Sequence, residues 1–307
     1  MRDIYLAPIV KWVGGKRQLL KTIIPLLPKK IDLYVEPFLG GGALLFELQP
    51  SKAIINDFNK ELMNLYSTVK ESPEELLRVL REHNKRNCKN YYYKIRDIDR
   101  DLRAFERLSP VERAARIAYL NKTCFNGLFR VNQKGQFNSS YGKNSNPNII
   151  NEMGILTMHN YFKEQDIRLL VGDYKDALEV ALKEIEEESI EDTFVYLDPP
   201  YMPAKGIEGV VKYTSKGFDF NDQIELKEYC DKLSDSGVKF MLSNSDTPET
   251  RELYKDYNIR IIKANRRVNS DATKRGNVNE ILVLNYIPKE DGVKPLFEKS
   301  EIDTEVS

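Results

Sequence analysis

Leu33-Tyr34-Val35 leads into Glu36-Pro37-Phe38-Leu39-Gly40-Gly41-Gly42-Ala43-Leu44-Leu45, and a second apolar triplet, Ala53-Ile54-Ile55, ends in Asn56-Asp57. The first triplet predicts a short strand, the three glycines a tight turn, and the residues from Ala43 onward a helix. Glycines let a backbone approach a ligand closely, and the helix N-terminus that follows favours polar or anionic groups. Asp57 closes the second strand 17 residues after Gly40. That is near the spacing at which a carboxylate takes the two hydroxyls of a ribose. The turn departs from GxGxxG, so a dinucleotide site is not indicated and a nucleoside cofactor suits it better. A purely structural glycine turn is the competing reading.

Outward from this unit, residues 1–58 read as loop, helix, strand, tight turn, helix, strand. Residues 59–165 are polar and helix-rich, with Ser72-Pro73-Glu74-Glu75 and Ser109-Pro110-Val111-Glu112 as helix starts. Asn126 to Asn148, crowded with Asn, Gly and Ser and carrying Phe137 and Tyr141, predicts a hairpin or ordered loop. From Arg168 strands and helices alternate again, with strands expected at Ile167–Val171, Thr193–Leu197, Lys239–Leu242 and Ile281–Asn285. This alternation predicts an α/β fold: a mostly parallel sheet with helices on both faces, interrupted by the helical region.

The chain has 307 residues, 41% hydrophobic and 31% charged, with 47 basic and 47 acidic side chains. These are globular values, so collagen-like, low-complexity and wholly disordered classes are excluded. No apolar run approaches the roughly 20 residues that span a bilayer, and Met1-Arg2-Asp3 opens no secretory signal. Cys88, Cys124 and Cys230 form no CxxC pair, and His83 and His159 are the only histidines. Neither a disulfide framework nor a metal site is expected, and the cytoplasm is the expected location.

The zero net charge is a cancellation. Residues 78–147 hold 16 Lys and Arg against six acids, a net of +10, so the remaining 237 residues sum to −10. A second basic stretch, from Asn258 to Gly276, carries six Lys and Arg against Asp271 alone. Such asymmetry fits a polyanion-binding face, with a solvated helical surface as the alternative. The residues after Lys289 are acidic and read as a flexible tail.

Two further stretches carry chemistry. Lys11-Trp12-Val13-Gly14-Gly15-Lys16-Arg17 is not a P-loop, because that motif needs Ser or Thr where Arg17 stands. Trp12 is the only tryptophan and suits the cover of a cofactor ring, with Lys16 reaching a carboxylate. In Val195-Tyr196-Leu197-Asp198-Pro199-Pro200-Tyr201 a strand delivers a carboxylate to its C-terminal end, where open α/β sheets bind ligands. Asp198 and the Pro199 carbonyl suit the two N–H bonds of an exocyclic amine, Pro200 stiffens the turn, and Tyr201 suits stacking on a planar base. A rigid Pro-Pro turn after a strand is the plain alternative.

In this order, the three motifs resemble the Dam-type DNA adenine-N6 methyltransferases, which have a Rossmann-like sheet, and the likeness runs to about Tyr286. Lys122-Thr123-Cys124-Phe125-Asn126-Gly127-Leu128-Phe129-Arg130-Val131-Asn132, continued by Gly135-Gln136-Phe137-Asn138, looks like the family's base-reading hairpin. Val171-Gly172-Asp173-Tyr174 and Leu242-Ser243-Asn244-Ser245 also look like family motifs.

The resemblance implies S-adenosylmethionine as cofactor and double-stranded DNA as substrate, and it leaves open a cognate restriction endonuclease acting on the same site without being bound, a stand-alone role and a phage-borne one. Residues 1–58 and 166–289 would form the catalytic domain, 59–165 the target-recognition domain and 290–307 the tail. Trp12 and Lys16 would sit at the methionine end of the cofactor, with Phe38 and Gly40 as the wall of the turn. Asp57 would bind the ribose and Asp173 would lie near the adenine, while Asp198 would touch both cofactor and target amine. Arg130 would read guanine in GATC, Leu128 would pack on a base, and Phe125 and Asn126 would fill the space left by a flipped adenine. Asn138 and Lys143 would contribute to DNA binding. The chain departs from close members at Ser139-Ser140, where they carry Val-Pro, and at Lys143, where they carry Arg. Lysine cannot make arginine's bidentate contact. Methylation of RNA, or of an amide nitrogen in protein, and a non-catalytic DNA-binding relative are the alternative readings.

Overall fold

The computed structural model describes residues 6–12, 14–142, 144, 146–201, 218–265 and 277–288. Among these residues, seven strands form one sheet: β1 (Leu33–Glu36), β2 (Lys52–Asp57), β3 (Asp166–Val171), β4 (Thr193–Leu197), β5 (Lys239–Ser245), β6 (Asn258–Asn265) and β7 (Asn277–Leu284). Their order is β3-β2-β1-β4-β5-β7-β6. The first five run parallel, and β7 pairs antiparallel with both β5 and β6. The chain thus builds outward from β1 through β2 to β3, then returns to lay β4 on the other side of β1. That reversal opens a crevice at the C-terminal ends of β1 and β4, where doubly wound sheets bind ligands.

β6 is the strand missing from the sequence expectation. In Asn258-Ile259-Arg260-Ile261-Ile262-Lys263 the basic residues dominate the reading, yet the segment pairs with β7 residue by residue from Asn258 opposite Leu284.

Strand side chains alternate between two faces. Tyr34, Ala53, Ile55, Phe194, Tyr196, Met241, Leu282 and Leu284 enter one core. Leu33, Val35, Ile54, Val195, Leu197, Phe240, Leu242, Ile281 and Val283 enter the other. Both faces are covered, which is why these strands read as continuous apolar runs.

The helices are α1 (Leu20–Ile23), α2 (Ala43–Leu48), α3 (Lys60–Glu71), α4 (Pro73–Lys85), α5 (Lys89–Arg96), α6 (Leu102–Glu106), α7 (Pro110–Thr123), α8 (Glu152–Glu164), α9 (Tyr174–Glu188), α10 (Phe220–Asp235) and α11 (Pro248–Leu253). α3 to α8 all fall in the connection between β2 and β3. α7 starts with a reciprocal capping box between Ser109 and Glu112. Ser72 stands at the start of α4 but its side chain makes no cap hydrogen bond, so Pro73 alone presets that helix. Between α7 and α8 the chain forms a loop with two antiparallel bridges, Cys124 with Tyr141 and Val131 with Phe137.

Candidate active site

Asp198 follows the last residue of β4, on the side of the sheet to which Tyr196 points. Lys16 Nζ lies 2.8 Å from Asp198 Oδ1, and the Ser243 hydroxyl donates to the same oxygen at 2.8 Å. Tyr196 and Ser243 share a further hydrogen bond at 3.3 Å. Lys16 is buried, and its Nζ also donates to the Gly14 carbonyl at 3.0 Å. Burial by itself disfavours the ammonium, but Asp198, Tyr196 and Glu280 outweigh it and lift the pKa above the ordinary lysine value. The carboxylate that Lys16 reaches is therefore one of the protein's own.

The Pro-Pro turn is pinned from outside. Gln223 in α10 donates to the Pro200 carbonyl at 3.0 Å and accepts from the Asn244 side chain at 2.9 Å. The Pro200 carbonyl is thus engaged, which leaves Pro199 as the turn's candidate acceptor for an amine. Tyr201 carries Lys16 Nζ 4.6 Å from its ring centroid, and its hydroxyl donates to Glu280 at 2.9 Å.

At the neighbouring strand ends, Asp57 accepts from the Gly40 N–H and the Asn59 N–H, each at 2.8 Å. Burial nevertheless raises its pKa, with the two backbone bonds opposing. One N–H on each oxygen fixes the carboxylate and leaves lone pairs for hydroxyl donors. Asn56 ties the turn to the next strand by donating to the Pro37 carbonyl at 3.0 Å and the Gly172 carbonyl at 3.1 Å. Gly40 adopts φ +50°, and a Cβ there would meet the Trp12 ring at 3.0 Å. Glycine is therefore required both by the backbone and by the closeness of the indole. Phe38 stacks on Tyr174 with centroids 5.0 Å apart. Asp173 caps α9 through the Lys175 N–H at 3.0 Å. Phe58 and Val171, apolar and more than half exposed, stand at the same edge, at the ends of β2 and β3.

Trp12 also faces the other way. Its ring stacks on Phe129 of the bridged loop, centroids 4.6 Å apart. Asn121, buried in α7, accepts from the Lys11 N–H at 2.8 Å and donates to the Lys11 and Gly127 carbonyls at 2.7 and 3.2 Å. The loop expected to read bases is thus fastened to the segment expected to cover the cofactor. On that loop Phe125 and Asn126 are exposed, and Asn126 takes φ +57°. Leu128 is half-buried. Arg130 is exposed and its Nε donates to the Asn138 side-chain oxygen at 2.8 Å, which fixes the guanidinium plane. Lys143 lies outside the described residues.

The basic excess of residues 78–147 is partly spent within the protein. Arg78, Arg81, Lys85, Arg96, Arg100, Arg113 and Arg116 are all in ion pairs. Arg116 is buried and additionally holds the Ile95 and Arg96 carbonyls. Arg86, Lys89, Lys94, Arg103, Arg107, Arg130 and Lys134 remain exposed.

Sequence reading had not singled out Glu36, Ser243, Glu280, Asn121 or Phe129 as site residues. Three were accessible through strand parity. The face that carries Tyr34, Met241 and Leu282 in the core continues toward the C-terminal edge as Glu36, Ser243 and Glu280. Tyr34 donates to the buried Glu36 at 2.8 Å, and burial raises that carboxyl to about 8. No periodicity marks Asn121 or Phe129.

A family model described as the D12 class N6 adenine-specific DNA methyltransferases matches residues 12–268. A type II methyltransferase of Lactococcus lactis subsp. cremoris, M1.LlaDCHI, is 45% identical over 92% of this chain and 96% of its own length. M.MjaIII, a type II methyltransferase of Methanocaldococcus jannaschii, is 38% identical over 91% of this chain and 99% of its own. The DNA adenine methylase of Escherichia coli K12 is 32% identical over 90% and 94%.

Proposed function

The chain belongs to the D12 class of N6 adenine-specific DNA methyltransferases, and from that premise we propose that it methylates adenine N6 within GATC, with S-adenosylmethionine as donor and the target base turned out of the duplex. One observation carries the reading: Asp198 is held by Lys16 and Ser243 at the switch point of the sheet, beside the strand ends that bear Gly40 and Asp57.

The residues present fit the cofactor. Asp57 has its two oxygens oriented by backbone N–H groups for ribose hydroxyls. Phe38, Phe58 and Val171 offer apolar surface to an adenine ring, with Asp173 beside them. Trp12 and Lys16 stand at the far side of the glycine turn, where a charged amino-acid end would lie. When bound, S-adenosylmethionine supplies an electrophilic methyl on sulfonium sulfur.

The chain's own work is alignment. The adenine amine is a poor nucleophile because its lone pair is delocalised into the ring. Asp198 and the Pro199 carbonyl would accept its two N–H bonds and draw the nitrogen toward tetrahedral geometry. Lys16 and Ser243 both occupy Asp198 Oδ1, so Oδ2 is the oxygen that meets the amine. The N6 proton released on transfer passes to that oxygen or to water. Tyr201 stacks on the flipped base, and Phe125 and Asn126 enter the gap it leaves. Arg130, fixed by Asn138, reads guanine through O6 and N7, while Leu128 packs on a base edge. Lys143 completes the DNA contacts as a phosphate anchor.

Residues 59–165 thus act as the target-recognition part, and residues 1–58 with 166–289 as the catalytic part. The type II relatives favour a role beside a restriction endonuclease of the same specificity, with no physical complex required. Among the described residues no helix is long and apolar enough to cross a membrane. The test is transfer of labelled methyl from S-adenosylmethionine to duplexes with and without GATC. Label confined to the GATC duplex supports the reading, and equal labelling of both refutes the specificity.

A further inference from the structure

We propose that Glu280 is a positioning residue for methyl transfer: from strand β7 it accepts the Tyr201 hydroxyl hydrogen bond and so fixes the plane on which the target base stacks. The inference rests on the assignment of Tyr201 to the base.

Several observations converge on it. Glu280 is 5% exposed and lies in the middle of a three-strand ladder, opposite Ser245 on β5 and Ile262 on β6. Its backbone is therefore held from both sides. Tyr201 comes directly after the two prolines, whose turn is tied to α10 through Gln223. That tie fixes where the Tyr201 backbone starts but not the rotation of its ring. The 2.9 Å bond from hydroxyl to Glu280, beside the hydroxyl's hydrogen bond with Ser243, constrains that rotation across 79 residues of sequence. Lys16 sits over one face of the ring, 4.6 Å from its centroid, so a stacked base must use the other face. A tilt of the ring would also shift the ammonium that holds Asp198. A carboxylate suits this position better than a neutral acceptor, because it binds the phenol strongly and balances Lys16.

A bond that served only stability would weaken folding and leave the reaction alone. The two roles separate in kinetics. Steady-state and single-turnover methyl transfer to a GATC duplex are measured for Glu280→Ala, Glu280→Gln, Tyr201→Phe, Glu280→Ala with Tyr201→Phe, and Tyr201→Ala. A parallel set uses 2-aminopurine at the target position, whose fluorescence reports how the extruded base stacks. Loss of a charge-assisted hydrogen bond predicts kcat lower by about 10- to 100-fold in Glu280→Ala and in Tyr201→Phe, with KM for DNA changed by less than about 3-fold. The double variant falls no further than Tyr201→Phe alone. Glu280→Gln, which keeps an acceptor and the packing but not the charge, recovers part of the rate, and Tyr201→Phe, which removes the same bond, carries the test should Glu280→Ala fail to fold. Wild-type kcat and 2-aminopurine signal in Glu280→Ala, or additive losses in the double variant, overturn the inference while Tyr201→Ala is inactive. Full activity in Tyr201→Ala overturns the assignment of Tyr201 itself, and the inference with it.

Discussion

Replacing Lys16 by Met removes the ammonium from Asp198 and leaves a carboxylate with one hydroxyl partner in a largely dry site. The two side chains are 7% and 20% exposed and 2.8 Å apart. At that distance, with an effective dielectric near 20, their Coulomb attraction is about 6 kcal/mol. Much of it only offsets the desolvation of the two charges. Removing one partner of such a pair costs about 3–5 kcal/mol, and the residual exposure of Asp198 places this case toward the lower figure. With a urea slope of about 3 kcal/mol per molar, the unfolding midpoint of Lys16→Met drops by about 1 M. Asp198→Asn alone also destabilises, because it strands a buried ammonium. The double variant removes both members of the pair and loses at least about 1 kcal/mol less than the sum of the single losses. Urea unfolding of the four proteins, followed by circular dichroism, measures the cycle. Additive losses would show that the two groups do not depend on each other, and the proposed orientation of Asp198 would fall.

Three other outcomes follow from the geometry. Glu36 ionises near 4.5 when unfolded and near 8 when folded, because burial favours its neutral form. The folded state holds the extra proton between those values, so stability declines as pH rises from about 4.5 to 8. Glu36→Gln flattens that decline in urea midpoints taken across the window, and an unchanged slope contradicts the assignment. Phe129→Ala uncovers one face of the only tryptophan, so emission shifts to the red and stability falls by about 3–5 kcal/mol; unaltered emission refutes the Trp12–Phe129 stack. Asn138→Ala frees the Arg130 guanidinium and lowers discrimination for GATC over a duplex altered at the guanine by about 10-fold, read as a ratio of kcat/KM. An unchanged ratio removes Asn138 from recognition.

The candidate site's edge of the sheet was legible where chemistry and local conformation coincide in a short stretch. Asp198 ends an apolar run and precedes two prolines, and Asp57 ends another, so each sits at a strand terminus for reasons internal to its own segment. The central strands were legible for the same reason, because burial on both faces leaves an uninterrupted apolar signature. β6 escaped because it is an edge strand, and Arg260 and Lys263 break its apolar pattern. Contacts between distant segments carry no local mark. Nothing near Tyr201 announces Glu280, and nothing near Trp12 announces Phe129, because such pairs are created by the order in which strands and insertions pack. Charge gave an intermediate case. The +10 of residues 78–147 marks the inserted helices, yet Arg78, Arg81 and Arg113 spend their charge on Glu75, Glu152 and Glu61, outside that segment, rather than on a ligand. Net charge over a segment counts such paired cations together with the exposed ones available to DNA.

The central claim is transfer of a methyl group to adenine N6 at GATC through Asp198. Its most direct test is single-molecule mapping of modified bases in DNA from cells that lack adenine methylation and express either the wild-type chain or Asp198→Ala. The account predicts N6-methyladenine at GATC on both strands with the wild type and none with the variant. Modification centred on another sequence would contradict the recognition assigned to Arg130. Undiminished modification by Asp198→Ala would contradict the site itself.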